Sequence, residues 1–292
     1  MRLEAFGELA PISRLGGQGR VYRPAITPRV LRPAPVVIKL YSRSPPVSAA
    51  GVLAEMVTWT RSLEVGQRTR LEHLAAWPVA VVSAGGQPVG IAMQDVSGRF
   101  AVPFVMPSGR REHVLLALEH LLGADSFLES RGLSVRLDTI VRIQVAEPVS
   151  AALAFLHRHA IVASDIAPNN LLVSLGARGA AVCFIDCDSM VFRGRQALAA
   201  VETGDWEMPG GFAEPALTRG ADAYKLGLVV LRLFARMFAS AIPAQDIGPG
   251  GAGGGRPYVY QYYYPSGSTG GGTPLSSSPG TPLGAGQGAQ FP

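Results

Sequence analysis

The chain has 292 residues, 48% of them hydrophobic, with 26 basic and 21 acidic side chains and a formal net charge of +5, which suits one large domain or two small ones with a real core. No block of five or more Lys or Arg occurs, so a nucleic-acid partner has no electrostatic footprint. The two cysteines, Cys183 and Cys187, have no matching His or Cys cluster; this excludes a disulfide framework and a zinc site, and reduced thiols suit a cytoplasmic location. The N-terminus, MRLEAFGELAPISRLGG, has no apolar run long enough for a signal peptide.

Residues 10–100 read as a β-rich unit. The segments RVYRPAI, PVVIKLY and WPVAVVSAGGQPVGIAMQDV are Val- and Ile-rich runs punctuated by Gly, Pro and Ser, as strands and turns are. Gly85-Gly86 predicts a hairpin. A helix is expected over residues 49–62, with apolar Val52, Met56 and Trp59 on one face. From residue 110 the pattern turns helical. HVLLALEHLLG ends in a Gly stop, and LDTIVRIQVAEPVSAALAFLHRH is a longer helix with Asp138 as N-cap. Pro148 is expected to kink or split it. Two strand-like runs follow, NNLLVSL and AAVCFIDCDS, then a helix over residues 221–240, apolar on nearly all sides and so expected in the core. Arg232 and Arg236 interrupt its apolar run, and a membrane span needs about 20 mostly apolar residues, so no membrane partner is indicated. Residues 241–292 contain 14 Gly and 8 Pro, above the composition that marks low complexity, and are expected to be disordered. YVYQYYYP in this tail holds five of the eight tyrosines.

Several residues carry chemistry. Gly16, Gly17 and Gly19 cluster between strand-like runs, where glycines let backbone amides approach phosphate oxygens. Of the basic residues 24 are Arg and two are Lys, Lys39 and Lys225. A Lys among the apolar residues of VVIKLY is costly unless it meets an anion, and Arg would serve solvent equally well. Asp165 and Asn170 in SDIAPNNLL lie five apart, and Asp186 in FIDCDS follows sixteen residues later. Taken singly, these are turn caps and a strand terminator. Together, beside strand ends, three oxygen-bearing side chains suit a Mg–nucleotide site. His157 and His159 at a helix end favour its dipole rather than a metal, and Cys187 has no base beside it to make it a nucleophile.

The ordered set resembles a bacterial protein kinase domain of eukaryotic type: a Gly-rich loop, a strand Lys, Asp-x-x-x-x-Asn, then an Asp-x-x triplet. FIDCDS is similar to the Asp-Cys-Asp variant of kinase-like proteins that carry helix-hairpin-helix segments. The resemblance spans residues 11–240. It implies an α+β, two-lobed kinase-like fold: a small β-rich N-lobe over residues 1–96, a helical C-lobe over 97–240 that ends early after its central helix, and the tail. It implies ATP-dependent phosphorylation of protein Ser or Thr, with ATP and Mg²⁺ as cofactors and a protein as substrate. Asp165 would be the catalytic base, and Asn170 and Asp186 the metal ligands. Gly16, Gly17, Gly19, Val21 and Lys39 would hold phosphates and roof the nucleotide, with the helix residue Glu55 (Glu64 second) paired to Lys39; Gln94, Asp95 and Val96 would face adenine. TGDWEMPG resembles the segment closing an activation loop, and ADAYKLG the opening of the central helix, with Asp222 as its capping Asp. These last two segments argue against a small-molecule kinase of the aminoglycoside or choline type.

Departures from the pattern support an alternative, a nucleotide-binding pseudokinase acting as a scaffold. The first loop Gly is Arg14, His-Arg before the base is Ala163-Ser164, the Lys two after it is Ala167, the triplet Gly is Asp188, and the closing Glu is Gly210. Losing a charge that steadies a moving phosphoryl group can cost on the order of 3–4 kcal/mol. The apolar central helix, followed by a tail that cannot bury it, implies an abbreviated lobe, a partner covering the exposed face, or an ending that is not the natural one.

Overall fold

The computed structural model describes residues 1–13, 18–32, 34–177, 179–199, 203–208, 217–235 and 263–264. Arg14, Gly16, Gly17, Gly210, the end of the 221–240 helix and all of the tail but Tyr263–Tyr264 lie outside the described residues.

A five-stranded antiparallel sheet forms the N-terminal part. Its strands are β1 (Leu9–Pro11), β2 (Gly19–Pro24), β3 (Val36–Tyr41), β4 (Pro78–Ala84) and β5 (Gln87–Gln94), in the order β1-β2-β3-β5-β4. Two helices, α1 (Val47–Ser62) and α2 (Val65–Leu74), connect β3 to β4. The hairpin at Gly85-Gly86 is as expected, with φ of 56° and 80°, the doubled positive φ of a two-residue turn that matches strand twist. The sheet's period of two sorts its side chains. Val37, Ile91 and Met93 enter the main core, whereas Phe6, Val36, Ile38, Ala80, Val82 and Ala92 make a separate cluster on the other face.

Helices dominate the later part. After α3 (Ser97–Phe100), β6 (Ala101–Val105) and β7 (Arg111–Leu115) form a hairpin, followed by α4 (Asp125–Ser130) and α5 (Thr139–Arg158). Then come β8 (Ile161–Val162), the hairpin β9 (Leu171–Gly176) and β10 (Gly179–Phe184), the short strands β11 (Val191–Phe192) and β12 (Arg195–Gln196), and α6 (Arg219–Ala235). The last described pair, β13 (Tyr263–Tyr264), runs antiparallel to β7 opposite Val114 and His113. This β-rich start and helical continuation is compatible with a kinase-like fold, and other α+β proteins share it. The main core runs unbroken from Ile12 to Leu233. Trp59, Trp77 and Phe192 interlock within it, with ring centroids 5.4–6.3 Å apart, and the partly exposed His159 ring packs 5.3 Å from that of Trp59.

Several sequence expectations change. The start of HVLLALEHLLG is strand, not helix: His113, Val114 and Leu115 pair with β6, and Val114–Ala117 are all buried. An apolar run buried on every side has no periodicity to separate helix from strand. Pro148 does not split α5, which continues through it. Asp138 caps that helix as expected, accepting the Val141 N–H at 2.9 Å. By length and composition α5 could cross a bilayer, yet Val145, Val149, Leu153 and Leu156 on one side are buried in the protein core. Helix α6 is not uniformly buried. Its inner side carries Asp222, Lys225 and Arg232 beside Ala221, Val229 and Leu233, while Leu231 is 60% exposed.

Candidate functional site

Asn170 and Asp186 are brought together by the hairpin β9–β10. The register pairs Leu171 with Phe184, so the residues before β9 and after β10 lie side by side. The Ile185 N–H donates to the Asn170 carbonyl at 3.0 Å. Ahead of β9, a 3-10 turn over Pro168–Asn170 curls the chain and lets the Asn170 amide donate to Asp165 Oδ2 at 2.7 Å. Asp165 is further engaged by Thr203, whose hydroxyl donates to Oδ1 at 3.2 Å. Burial pushes the Asp165 carboxyl above its usual range, with Thr203, Lys225 and Asn170 partly opposing it.

Lys39 comes from the opposite direction. It pairs with Val21 and Ile91 on neighbouring strands, so its side chain shares the face directed into the main core. Its ammonium donates to Asp186 at 3.1 Å, to Asp188 at 2.9 Å and to Gln18 Oε1 at 3.3 Å. Burial opposes this charge, but the Asp186 and Asp188 carboxylates outweigh it and hold the ammonium well above its ordinary pKa. Lys39–Asp186 and Asp165–Asn170 are thus two paired units, joined through the Ile185–Asn170 backbone bond.

Other expected residues sit differently. Glu55 does not meet Lys39: its carboxylate pairs with Arg195, and both side chains are about half exposed. The reason lies in α1, whose inward positions Val52, Met56 and Trp59 are apolar. Glu64 precedes α2 and is exposed. Gln94 lies opposite Val36 and so on the sheet face away from Lys39, where it lines a cavity of about 300 Å³ with Val57, Trp77, Arg61 and Arg68. Asp95 accepts the Ser97 N–H at 2.9 Å and lies 3.8 Å from Arg23; Val96 is buried. Gly19 has a packing reason of its own, because a Cβ there would stand 2.3 Å from the Leu40 carbonyl oxygen.

Eighty residues of the chain resemble a plant protein kinase. The match is to "Probable serine/threonine protein kinase IREH1" of Arabidopsis thaliana, 35% identical over 80 residues, covering 27% of this chain and 6% of the relative. No family model matches the chain. The relationship is therefore kinase-like over part of the length, and the chain spans a small fraction of that relative.

The floor of the site rests on α6. Asp222 does not cap this helix, since Thr218 Oγ1 accepts the Ala221 N–H instead. Its carboxylate accepts the N–H groups of Ala163 and Ser164 at 2.8 and 2.9 Å and meets His157 Nε2 at 2.8 Å. One turn later, fully buried Lys225 donates to the Ser164 carbonyl at 2.6 Å. Both lysines of this Arg-rich chain therefore flank the same cluster. Their rarity was a usable signal for Lys225; nothing in the sequence singled out Gln18 or Thr203. Cys187 is buried and its thiol donates to the Phe184 carbonyl, a packing role.

The oxygen donors suit a hard cation that keeps several waters and phosphate oxygens of its own, as Mg²⁺ does. Among the described residues no group of three or more His, Cys, Asp or Glu gathers into a self-sufficient metal cage. Asn170 and Asp186 would supply two oxygens, with the remaining positions left for nucleotide and water.

Proposed function

We propose that this protein transfers the γ-phosphoryl group of Mg-ATP to a Ser or Thr hydroxyl of a protein substrate. The observation that carries the reading is the convergence of Lys39 on Asp186, joined by the Ile185–Asn170 backbone bond to the Asp165–Asn170 pair. The partial likeness to a serine/threonine kinase supports it.

In this reading Lys39 grips the phosphates from the sheet, and Val21, directly opposite it on β2, roofs the base. Gly16, Gly17 and Gly19 give backbone amides access to the phosphates, and the Asp95–Val96 segment borders the adenine. Asn170 and Asp186 hold Mg²⁺, which neutralises charge on the phosphates. Asp165 orients the incoming hydroxyl and takes its proton as the new O–P bond forms and the bond to the ADP oxygen breaks. The Thr203 hydroxyl already donates to Asp165 Oδ1, so a hydroxyl donor can reach that oxygen. Two buried thiols suit a reducing, cytoplasmic setting.

One observation favours a second reading, a nucleotide-binding scaffold without turnover. Position 167 is Ala, so the cation that the kinase pattern places two residues after the base is missing, while buried Lys225 donates to the Ser164 carbonyl. Two measurements separate the readings: thermal shift with ATP, with and without Mg²⁺, and transfer of labelled phosphate to a generic basic protein. Turnover in the wild type that Asp165→Asn abolishes, with nucleotide binding retained, supports the kinase. Mg-dependent binding with no turnover in either protein supports the scaffold, and no binding at all defeats both.

A further inference from the structure

We propose that Asp188 is the positioning residue that fixes Lys39, in the place an acidic side chain on α1 would take; this rests on the nucleotide-site reading above for its function, not for its geometry. Lys39 is 3% exposed and Asp188 fully buried, and the two meet at 2.9 Å. A buried ammonium needs a committed anion. Glu55 is the one acidic residue within α1, and it stands on the outside of the helix against Arg195. Asp186 also touches Lys39, but its side chain is 29% exposed and it is the residue assigned to hold Mg²⁺.

The local backbone explains how two carboxylates two residues apart converge on one nitrogen. Asp186 adopts a left-handed conformation, φ 56° and ψ 34°, and the 3-10 turn Cys187–Ser189 follows at once. The turn is locked by the Ser189 hydroxyl, which donates to the Asp186 carbonyl at 2.8 Å. Asp188 is thereby turned inward to a fully buried position, while the Asp186 side chain stays partly exposed. Anchor and metal-holding residue share one rigid turn, so displacement of α1 leaves the Lys39 pair intact. Were Asp186 to hold Mg²⁺, Asp188 would remain as the anion for the ammonium.

The test reads Lys39 directly in nucleotide-free protein. Acetic anhydride labelling followed by peptide mass spectrometry gives a rate for each of the only two lysines, with buried Lys225 reporting whether the fold is intact. Asp188→Asn is expected to speed Lys39 acetylation at least tenfold with Lys225 still protected, and Glu55→Gln to change it less than twofold. Equal rates in wild type and Asp188→Asn, or a comparable acceleration in Glu55→Gln, overturn the proposal. Should Asp188→Asn expose Lys225 as well, Glu55→Gln decides alone: retained protection of Lys39 supports the proposal and lost protection overturns it. Mg-ATP affinity then ties the anchor to function, with a tenfold loss expected for Asp188→Asn and under twofold for Glu55→Gln. If wild type binds no nucleotide, the functional reading fails while the labelling result still judges the anchor.

Discussion

The carboxylate of Asp222 accepts the backbone N–H of Ser164 at 2.9 Å, across 58 positions of sequence. Ser164 has φ 63°, a left-handed conformation that a non-glycine residue adopts only where its surroundings impose it. Here the surroundings are on α6: Asp222 holds the N–H of Ser164 and Lys225 holds its carbonyl. Asp165 follows directly, so its placement depends on a helix more than fifty residues downstream.

Replacing Asp222 with Ala should be among the most damaging single substitutions. It leaves two buried N–H groups, of Ala163 and Ser164, without acceptors, and each such group costs about 1–3 kcal/mol. The expected loss is about 2–6 kcal/mol, read as a lower urea midpoint with an unchanged m-value. A loss under about 1 kcal/mol would mean that water replaces the carboxylate and the loop is not held from below.

Glycine substitutions should separate packing from flexibility. A Cβ at Gly90 would lie 2.1 Å from the Lys39 carbonyl oxygen, so Gly90→Ala forces β3 and β5 apart at the residue that carries the ammonium. Overpacking of this kind costs typically about 1–3 kcal/mol. Gly51 lies within α1 with nothing within 4 Å of its added Cβ, and Gly51→Ala should stabilise by about 0.5–1 kcal/mol. Thermal melts of the two variants should move in opposite directions; a common direction would refute the packing account.

Much of this architecture was legible because its signals are local. Val- and Ile-rich runs broken by Gly, Pro and Ser, with a Gly-Gly turn, announced β3, β4 and β5, and Asp138 announced the start of α5. Lys39 stood out because a lysine inside VVIKLY needs an anion, and the structure supplies Asp186 and Asp188. What stayed hidden depends on distant contacts. No local pattern distinguishes Glu55 facing Arg195 from Glu55 facing Lys39. HVLLALEHLLG is strand and 3-10 turn because β6 and Leu172 claim its backbone. Helix α2 was missed because its sequence, VGQRTRLEHL, buries Leu71 alone and shows no apolar stripe.

The thiols offer a probe of global unfolding. Cys183 and Cys187 are both buried, and burial pushes the Cys183 thiol up to about 12 and Cys187 well above its ordinary value. Thiols so placed hold almost no thiolate near neutrality and react slowly. Ellman's reagent should therefore label neither cysteine in native protein and both in urea, with the labelling midpoint matching that of fluorescence. Fast native labelling of either thiol would show that the β10 region opens locally.

Adjacent residues Glu119 and His120 should give the fold two opposed pH dependences. Burial raises the Glu119 carboxyl to about 7. Burial lowers His120 to about 4, with Arg131 adding to the effect and the Ala117 backbone opposing it. A carboxyl raised on folding contributes stability in full below about 4.5 and loses it as pH climbs to about 7. An imidazole lowered on folding contributes in full above about 6.5 and loses that as pH falls to about 4. Each is worth at most about 3 kcal/mol, less for Glu119 because that residue is not fully buried. Over the shared window the two slopes offset, so wild-type stability should change little. Glu119→Gln should unmask the histidine, with urea midpoints falling as pH is lowered from 6.5 to 4. His120→Gln should unmask the carboxyl, with midpoints falling as pH is raised from 4.5 to 7. Two variants that keep the wild-type profile would show that neither group changes its protonation on folding.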